Sequence, residues 1–422
     1  MICRGNSPIP IPISEMALEA PSWLNVDFTE RILRLTGDDN NVQVNDIFIK
    51  PATNKGDNYV SDMMRVVVDF THFEGDKKLD GKKSLLFKFE PLEEGPNAIN
   101  IYDIHIFDTE ILMMTDTLKK MNDLLSSGPR LSARILHVRL ERPLCLIIED
   151  LAPFGFRMAD RQAGMDLTHS MMAIQGIARF HASSIALYEK EPKQKEMYKK
   201  GMFRADYSKE ALDMFSGMCN TLAHEVDSWP EYGAKLRALA PHIHTLGLKM
   251  TEQRNDELNV INHGDAWANN MLFRYDNNSK PVEHIFVDFQ LCLYCSPAID
   301  LHYFLSTSLS IDVYDNKRDV LMNEYLRTLC STMKQLGCKT EPPTMDQLKK
   351  TMRERETYAF IASIFVLPVV LVDKNQVKTI DEMTPNENGI IDTPAVRNPL
   401  YKKIMLKRLV RFMELGILEV PT

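Results

Sequence analysis

The sequence predicts an α+β fold in two lobes, a small β-rich N-lobe followed by a large helical C-lobe. Three observations carry this. Between Val44 and Leu151, short apolar runs alternate with turn signals, with one long helical pattern among them. After Leu151 the apolar spacing changes to threes and fours and stays so to the end. One segment, from Val260 to Phe289, interrupts those helices with two strand-like runs. The expected divisions are a flexible leader over 1–20, the N-lobe over 21–148, a hinge over 149–153 and the C-lobe over 154–422.

The elements follow in order. From Pro21, Trp23, Leu24, Phe28, Ile32 and Leu35 recur at helical spacing. VNDIFIKPA, RVVVDF and SLLFKFE read as strands, and the turn-rich GDKKLDGKK separates the last two. FDTEILMMTDTLKKMNDLL is a helix, its apolar positions Phe107, Ile111, Met114, Leu118, Met121 and Leu125 stepping by four and three. ARILHVRLE and PLCLIIEDL are two further strands. Beyond the hinge, LTHSMMAIQGIARFHASSIALYEK and most of residues 208–258 are helical, as is nearly everything after Ala298. In the first of these helices, His181 shares the apolar side with Ile177 and Phe180 and is expected to be a hydrogen-bonded core histidine.

Composition excludes several classes of function. A chain of 422 residues, 44% apolar and 26% charged, is ordinary globular material for two or three domain-sized units. A net charge of −8 argues against a nucleic-acid binder that relies on a basic surface. Seven scattered cysteines read as reduced thiols, hence a cytoplasmic protein. Cys292 and Cys295 form one C-x-x-C, with no second pair spaced to complete a zinc site. The N-terminal stretch, broken by prolines 8, 10 and 12, lacks the apolar core of a secretory signal. The most apolar run, Thr357 to Val372, falls short of the ~20 residues that span a bilayer. It is expected to be a buried C-terminal helix, so no membrane span is expected.

The chemistry concentrates in VINHGDAWANNMLFRYD, Val260 to Asp276. So many polar groups beside an apolar strand are costly unless paired or bound to something. MLFRYD, NNSK and VEHIFVDF read as strand, turn and strand. Asn270 precedes the first strand and Asp288 lies near the end of the second. Their midpoint, 279, falls in the turn, so an in-register hairpin places both at its open end. Asp265 lies five residues before Asn270. Such oxygen donors suit a hard cation such as Mg²⁺. A nearby aspartate able to accept a hydroxyl proton completes what phosphoryl transfer requires.

His263, Gly264, Asp265, Trp267 and Asn270, with Asp288, Phe289 and Gln290 as D-F-Q, resemble the ecdysteroid kinase-like proteins of insects and their relatives. These belong to the choline and aminoglycoside kinase branch of the protein-kinase-like fold. The Asp-to-Asn step matches the protein-kinase catalytic loop, with Gly in place of its Arg and D-F-Q in place of D-F-G. The resemblance runs from about Trp23 to the C-terminal helices. It implies a kinase using ATP and Mg²⁺, with Asp265 orienting or deprotonating the acceptor hydroxyl and Asn270 and Asp288 holding the metal. His263 and Asp300 would brace the loop. Gly56, Asn58, Tyr59 and Ser61 look like the family's phosphate loop, with Asp57 where Glu is commoner.

Lys88, mid-strand in an apolar run, needs a partner; the resemblance implies that it contacts phosphate. In the resemblance Glu110 would be that partner, and its place toward the buried stripe of its helix suits the role. LIIEDLAPFGF is similar to the family's hinge, which implies that backbone groups from Glu149 to Leu151 meet the adenine. The acceptor is expected to be a small hydroxylated molecule, an ecdysteroid or another lipophile including xenobiotics, as in detoxification. The protein is expected to be a monomer. A binding protein that keeps the fold without turnover is the alternative, but every part of the site is present. A metal-dependent hydrolase on His263, Asp265 and Asp288 would lack a second histidine cluster and leave Lys88 and Glu110 without a role.

Overall fold

A computed structural model of the protein describes residues 20–37, 41–53, 61–90, 106–126, 128–226, 229–378 and 382–421. All of the expected leader except Ala20 falls outside them. The N-lobe opens with α1 (Val26–Gly37), capped by the Asn25 side chain, which accepts from the Phe28 N–H at 3.0 Å. Trp23 and Leu24 lie in the turn before the helix, so a spacing counted from them sets the wrong phase. The buried face centres on Thr29, Ile32 and Leu33, and Leu35 is 66% exposed.

Strands β1 (Gln43–Pro51), β2 (Asp62–Glu74), β3 (Lys77–Phe89), β4 (Ile135–Arg139) and β5 (Cys145–Glu149) form an antiparallel sheet ordered β1-β2-β3-β5-β4. β2 and β3 pair from Asp62↔Phe89 to Glu74↔Lys77. Most of GDKKLDGKK is therefore strand, and only Gly75 and Asp76 make the turn. Opposite charges face each other along this polar ribbon, as in Asp69↔Lys82. A strand polar on both faces gives no apolar alternation, which is why it reads as a turn.

Leu85, Phe87 and Phe89 bury one face of β3 in the N-lobe core with Val66, Val68 and Ile147. The alternate residues Leu86 and Lys88 face the other way. The predicted helix is α2 (Ile106–Leu112), which runs through a π turn at Met113–Thr117 into α3 (Leu118–Leu125). The extra residue brings both Met113 and Met114 to the buried side.

β5 leads through a 3₁₀ turn, Ala152–Phe154, to β6 (Phe156–Met158). The C-lobe is built on α4 (Leu167–Lys190), started by the Asp166 cap. Helices α5 (Lys209–Glu225), α6 (Pro230–Leu239) and α7 (Ile243–Thr251) follow, then β7 (Val260–Asn262). Next come β8 (Met271–Tyr275), β9 (Pro281–Phe286) and β10 (Leu293–Cys295), forming the sheets β6-β8-β9 and β10-β7.

The chain closes with α8 (Ala298–Thr307), α9 (Ile311–Asn316), α10 (Arg318–Leu336), α11 (Met345–Glu354), α12 (Glu356–Phe365), α13 (Leu367–Leu371) and α14 (Pro399–Glu414). The apolar run from Thr357 is two helices, not one, parted at Val366. Pro368 stands in the first turn of the second, where its missing N–H costs little. Among the described residues no helix is long and apolar enough to cross a membrane. A β-rich N-terminal region followed by a helix-rich C-terminal region makes up a two-lobed, kinase-like fold.

Candidate active site

The β8–β9 hairpin forms, one residue out of the expected register. Met271 pairs with Phe286, and the Val287 N–H donates to the Asn270 carbonyl at 3.0 Å. Asn270 therefore stands opposite Val287, and Asp288 is the next residue. The irregularity between Arg274 and Tyr275 and the turn over Asp276–Lys280 absorb the difference. Asp288 itself has φ +65°, a left-handed conformation uncommon for a non-glycine residue. That kink takes it out of the strand direction, and strained backbone of this kind clusters at functional sites.

The loop before the hairpin is fixed from beneath by Asp300 on α8. Its Oδ2 accepts from the His263 N–H at 2.7 Å and its Oδ1 from the Gly264 N–H at 2.8 Å. His181 holds Oδ2 as well, at 3.0 Å, and its other ring nitrogen meets the Tyr325 hydroxyl. Both aspartate and histidine are buried, so His181 is the expected bonded core histidine. His263 meets the Val287 carbonyl through Nε2 at 3.0 Å and packs on Phe289, a brace between the loop and the end of β9. Burial holds its imidazole below the usual range.

Gly264, where a protein kinase has arginine, has φ +81°, and a Cβ there would overlap the Leu291 carbonyl. Gly264→Ala is expected to cost about 2 kcal/mol or more, because strain and backbone overlap add. A midpoint of thermal unfolding equal to that of wild type would show the loop is looser than this.

The frame holds Asp265 in one orientation. Its Oδ2 accepts from Asn270 Nδ2 at 2.7 Å and its Oδ1 accepts from the Tyr303 hydroxyl. Burial, then the neighbouring Asp288 carboxylate, push the Asp265 carboxyl up to about 7. Because Asn270 spends its NH₂ group on Asp265, its side-chain oxygen is left for another partner. Tyr303 lies three residues after Asp300 on α8, so one helical face supports both the loop and its carboxylate.

Across the cleft, Lys88 and Glu110 pair as expected, at 2.7 Å, each about 1% exposed. Lys88 also reaches Asp288 Oδ1 at 2.8 Å, joining the lobes. Burial would lower the ammonium's pKa, but Asp288 and Glu110 outweigh it and hold it raised. The cleft holds about 320 Å³ and is lined by Lys88, Glu110, Asn270 and Asp288 among others.

Glu149 and Leu151 line its far end. Burial pushes the Glu149 carboxyl up, but hydrogen bonds from Arg130 and Arg134 win and bring it down to about 2. The Leu151 carbonyl accepts from the N–H groups of Phe154 and Phe156. Ser61 stands just before β2, while Gly56, Asn58 and Tyr59 lie outside the described residues.

The model of the ecdysteroid kinase-like family matches residues 55–338, well over half the chain. The chain belongs to the ecdysteroid kinase-like family. No curated protein matches it.

Within this ecdysteroid kinase-like chain, the sequence reading missed Tyr303 and the bond from Lys88 to Asp288. The i to i+3 step from Asp300 was the available signal for Tyr303. Asn269 also lines the cleft, its buried Nδ2 without a partner. Cys292 and Cys295 are free, buried thiols, and burial pushes both up. Among the described residues no three His, Cys, Asp or Glu side chains gather into a metal cage. Asn270 and Asp288 supply hard oxygens, and Asp265 bears the repulsion of a second carboxylate, a donor set that fits Mg²⁺ sharing its shell with phosphates and water.

Proposed function

We propose that the chain is an ATP- and Mg²⁺-dependent kinase that transfers the γ-phosphoryl group to a hydroxyl of a small molecule. The acceptor class is an ecdysteroid or another hydroxylated lipophile or xenobiotic. The observation that carries this reading is the convergence of Lys88, already paired to Glu110, on Asp288 at a cleft that Asn270 also lines. Phosphoryl transfer needs positioned phosphates and charge stabilisation more than covalent chemistry from the protein.

Magnesium held by Asn270 and Asp288 would offset charge on the transferring phosphates. Lys88 would hold a phosphate oxygen, with Glu110 fixing its position. The phosphate loop at Gly56, Asn58 and Ser61 would cover the phosphates with backbone N–H groups. Near the hinge, adenine would meet backbone between Glu149 and Leu151. The Leu151 carbonyl already accepts two hydrogen bonds, so at that residue adenine would meet the N–H donor. Asp265 would accept the acceptor's proton, its two oxygens steered by Tyr303 and Asn270. The reduced thiols suit the cytoplasm, and a monomer contains every group named.

The test is ATP consumption with Mg²⁺ against a panel of sterols and small hydroxylated compounds, beside Asp265→Ala and Asp288→Ala. Transfer by the wild type should be lost in both. Transfer unchanged in both would sink the mechanism, and nucleotide binding with no transfer across the panel would leave a binding protein on this fold.

Tyr303→Phe gives a finer test. The lost hydroxyl bond favoured the ionised carboxylate, so the Asp265 carboxyl should titrate higher. A fall of about tenfold in kcat at pH 7 and an alkaline shift of the acid limb are expected, with recovery toward wild type at higher pH. A parallel loss at every pH would make Tyr303 a packing residue only.

A further inference from the structure

A second cavity, of about 80 Å³, lies in the C-lobe between residues 161–164, the end of α8, and helices α9, α13 and α14. It shares no lining residue with the cleft. Two arginines line it, Arg161 and Arg408, 4% and 5% exposed. Arg161 donates to the carbonyls of Val369, Val370 and Val372, around the C-terminal end of α13. Arg408 donates to the Ser306 carbonyl at 2.7 Å and Ser363 Oγ at 2.8 Å, and lies 4.2 Å from the Tyr314 ring. The Nε of each is buried and has no partner.

Helix-end carbonyls carry partial charges and do not cancel a guanidinium. The other charged groups in the lining are Lys407 and Asp315, and these bond each other at 3.1 Å. Among the described residues no carboxylate lies within ion-pair distance of Arg161 or Arg408, and the wall is cationic by three groups to one. Buried charge left unpaired is costly, and a guanidinium fork is shaped for a carboxylate or phosphate.

We propose that this cavity binds a small oxyanion, seated between Arg161 and Arg408. Its volume suits a free anion or the terminal acid group of a longer molecule. The remainder of such a molecule would leave past Ile311 and Leu400, lining residues that are also exposed.

The test is thermal unfolding of the full chain in inorganic phosphate, and separately in hexanoate, against chloride at matched ionic strength. Phosphate acting alone marks a free anion, and hexanoate acting marks an acid-ended lipophile. Either should raise the midpoint by roughly 3 °C at about a hundredfold excess over its dissociation constant. Arg408→Met should abolish the rise. Ile404→Glu leaves both arginines in place and sets a carboxylate one turn before Arg408 on α14. It should also abolish the rise, with its own midpoint no lower than that of wild type. If Arg408→Met fails to fold, Ile404→Glu decides alone. No response of the wild type to either anion, or a response that survives in Ile404→Glu, would overturn the proposal.

Discussion

Asp265→Asn is expected to cut phosphoryl transfer by about 10³-fold at pH 8 while nucleotide affinity stays within a factor of about three. The asparagine keeps the shape and a hydrogen-bonding oxygen, so what it removes is the proton acceptor. The same substitution has a second consequence with the opposite sign. The wild-type carboxyl titrates near 7 in the folded chain against an ordinary value of 3.8. Between those values the folded state binds more protons than the unfolded one, so stability falls as pH rises through that window. Above 7 the cost is complete.

Asp265→Asn removes that cost. In cation-free buffer its unfolding midpoint should exceed that of wild type by more at pH 8 than at pH 5. Added Mg²⁺ should narrow the gap at pH 8, because a cation beside the carboxylate favours its ionised form in the wild type. A stabilised but inactive variant separates a functional carboxylate from a structural one. An equal gap at both pH values would falsify the electrostatic account of Asp265, whatever happened to activity.

Which parts of this site were legible follows from the range of the physics involved. Lys88 and Glu110 were legible because each violates a local pattern: a cation in an apolar strand, a carboxylate near an apolar helical stripe. The local pattern says only that each needs a partner; that the two are each other's partner came from the family resemblance, and the fold brings them to 2.7 Å. The pairing of β8 with β9 was legible because both ends of a hairpin are close in sequence. Its register was not, since one irregular step at Arg274 moves every partner by one. Tyr303 escaped because its i to i+3 step from Asp300 shows only that the two share a helical face, and the approach of α8 to the loop decides what that face touches. The ribbon of β2 and β3 escaped for a different reason, because polar cross-strand pairs stabilise a strand without leaving apolar alternation. Nothing in the local sequence around Arg161 and Arg408 marks them as buried. Only the packing of α13 and α14 makes them buried.

Lys88→Met should cost about 3–5 kcal/mol of stability, the usual loss when one partner of a buried ion pair is removed. The geometry leaves little room for relief. Lys88 Nζ lies 2.7 Å from Glu110 and 2.8 Å from Asp288, and neither Lys88 nor Glu110 has access to water. The methionine would leave two carboxylates facing one apolar side chain. Glu110→Gln should cost less, about 1–3 kcal/mol, because Lys88 keeps Asp288 and the amide still accepts a hydrogen bond.

The double variant is the informative one. With the carboxylate of Glu110 gone, the methionine no longer strands it, so Lys88→Met with Glu110→Gln should be more stable than Lys88→Met alone. The penalty of Lys88→Met should also shrink as pH falls, since the stranded carboxylates can then take up protons. Activity should not follow stability. Both single variants and the double should lose transfer, the Lys88 variants by about a hundredfold or more, because a repacked site still lacks its phosphate contact. Costs that simply add would mean the two side chains are neighbours and not a unit. Transfer restored in the double variant would mean that Lys88 serves the fold and some other cation serves the phosphate.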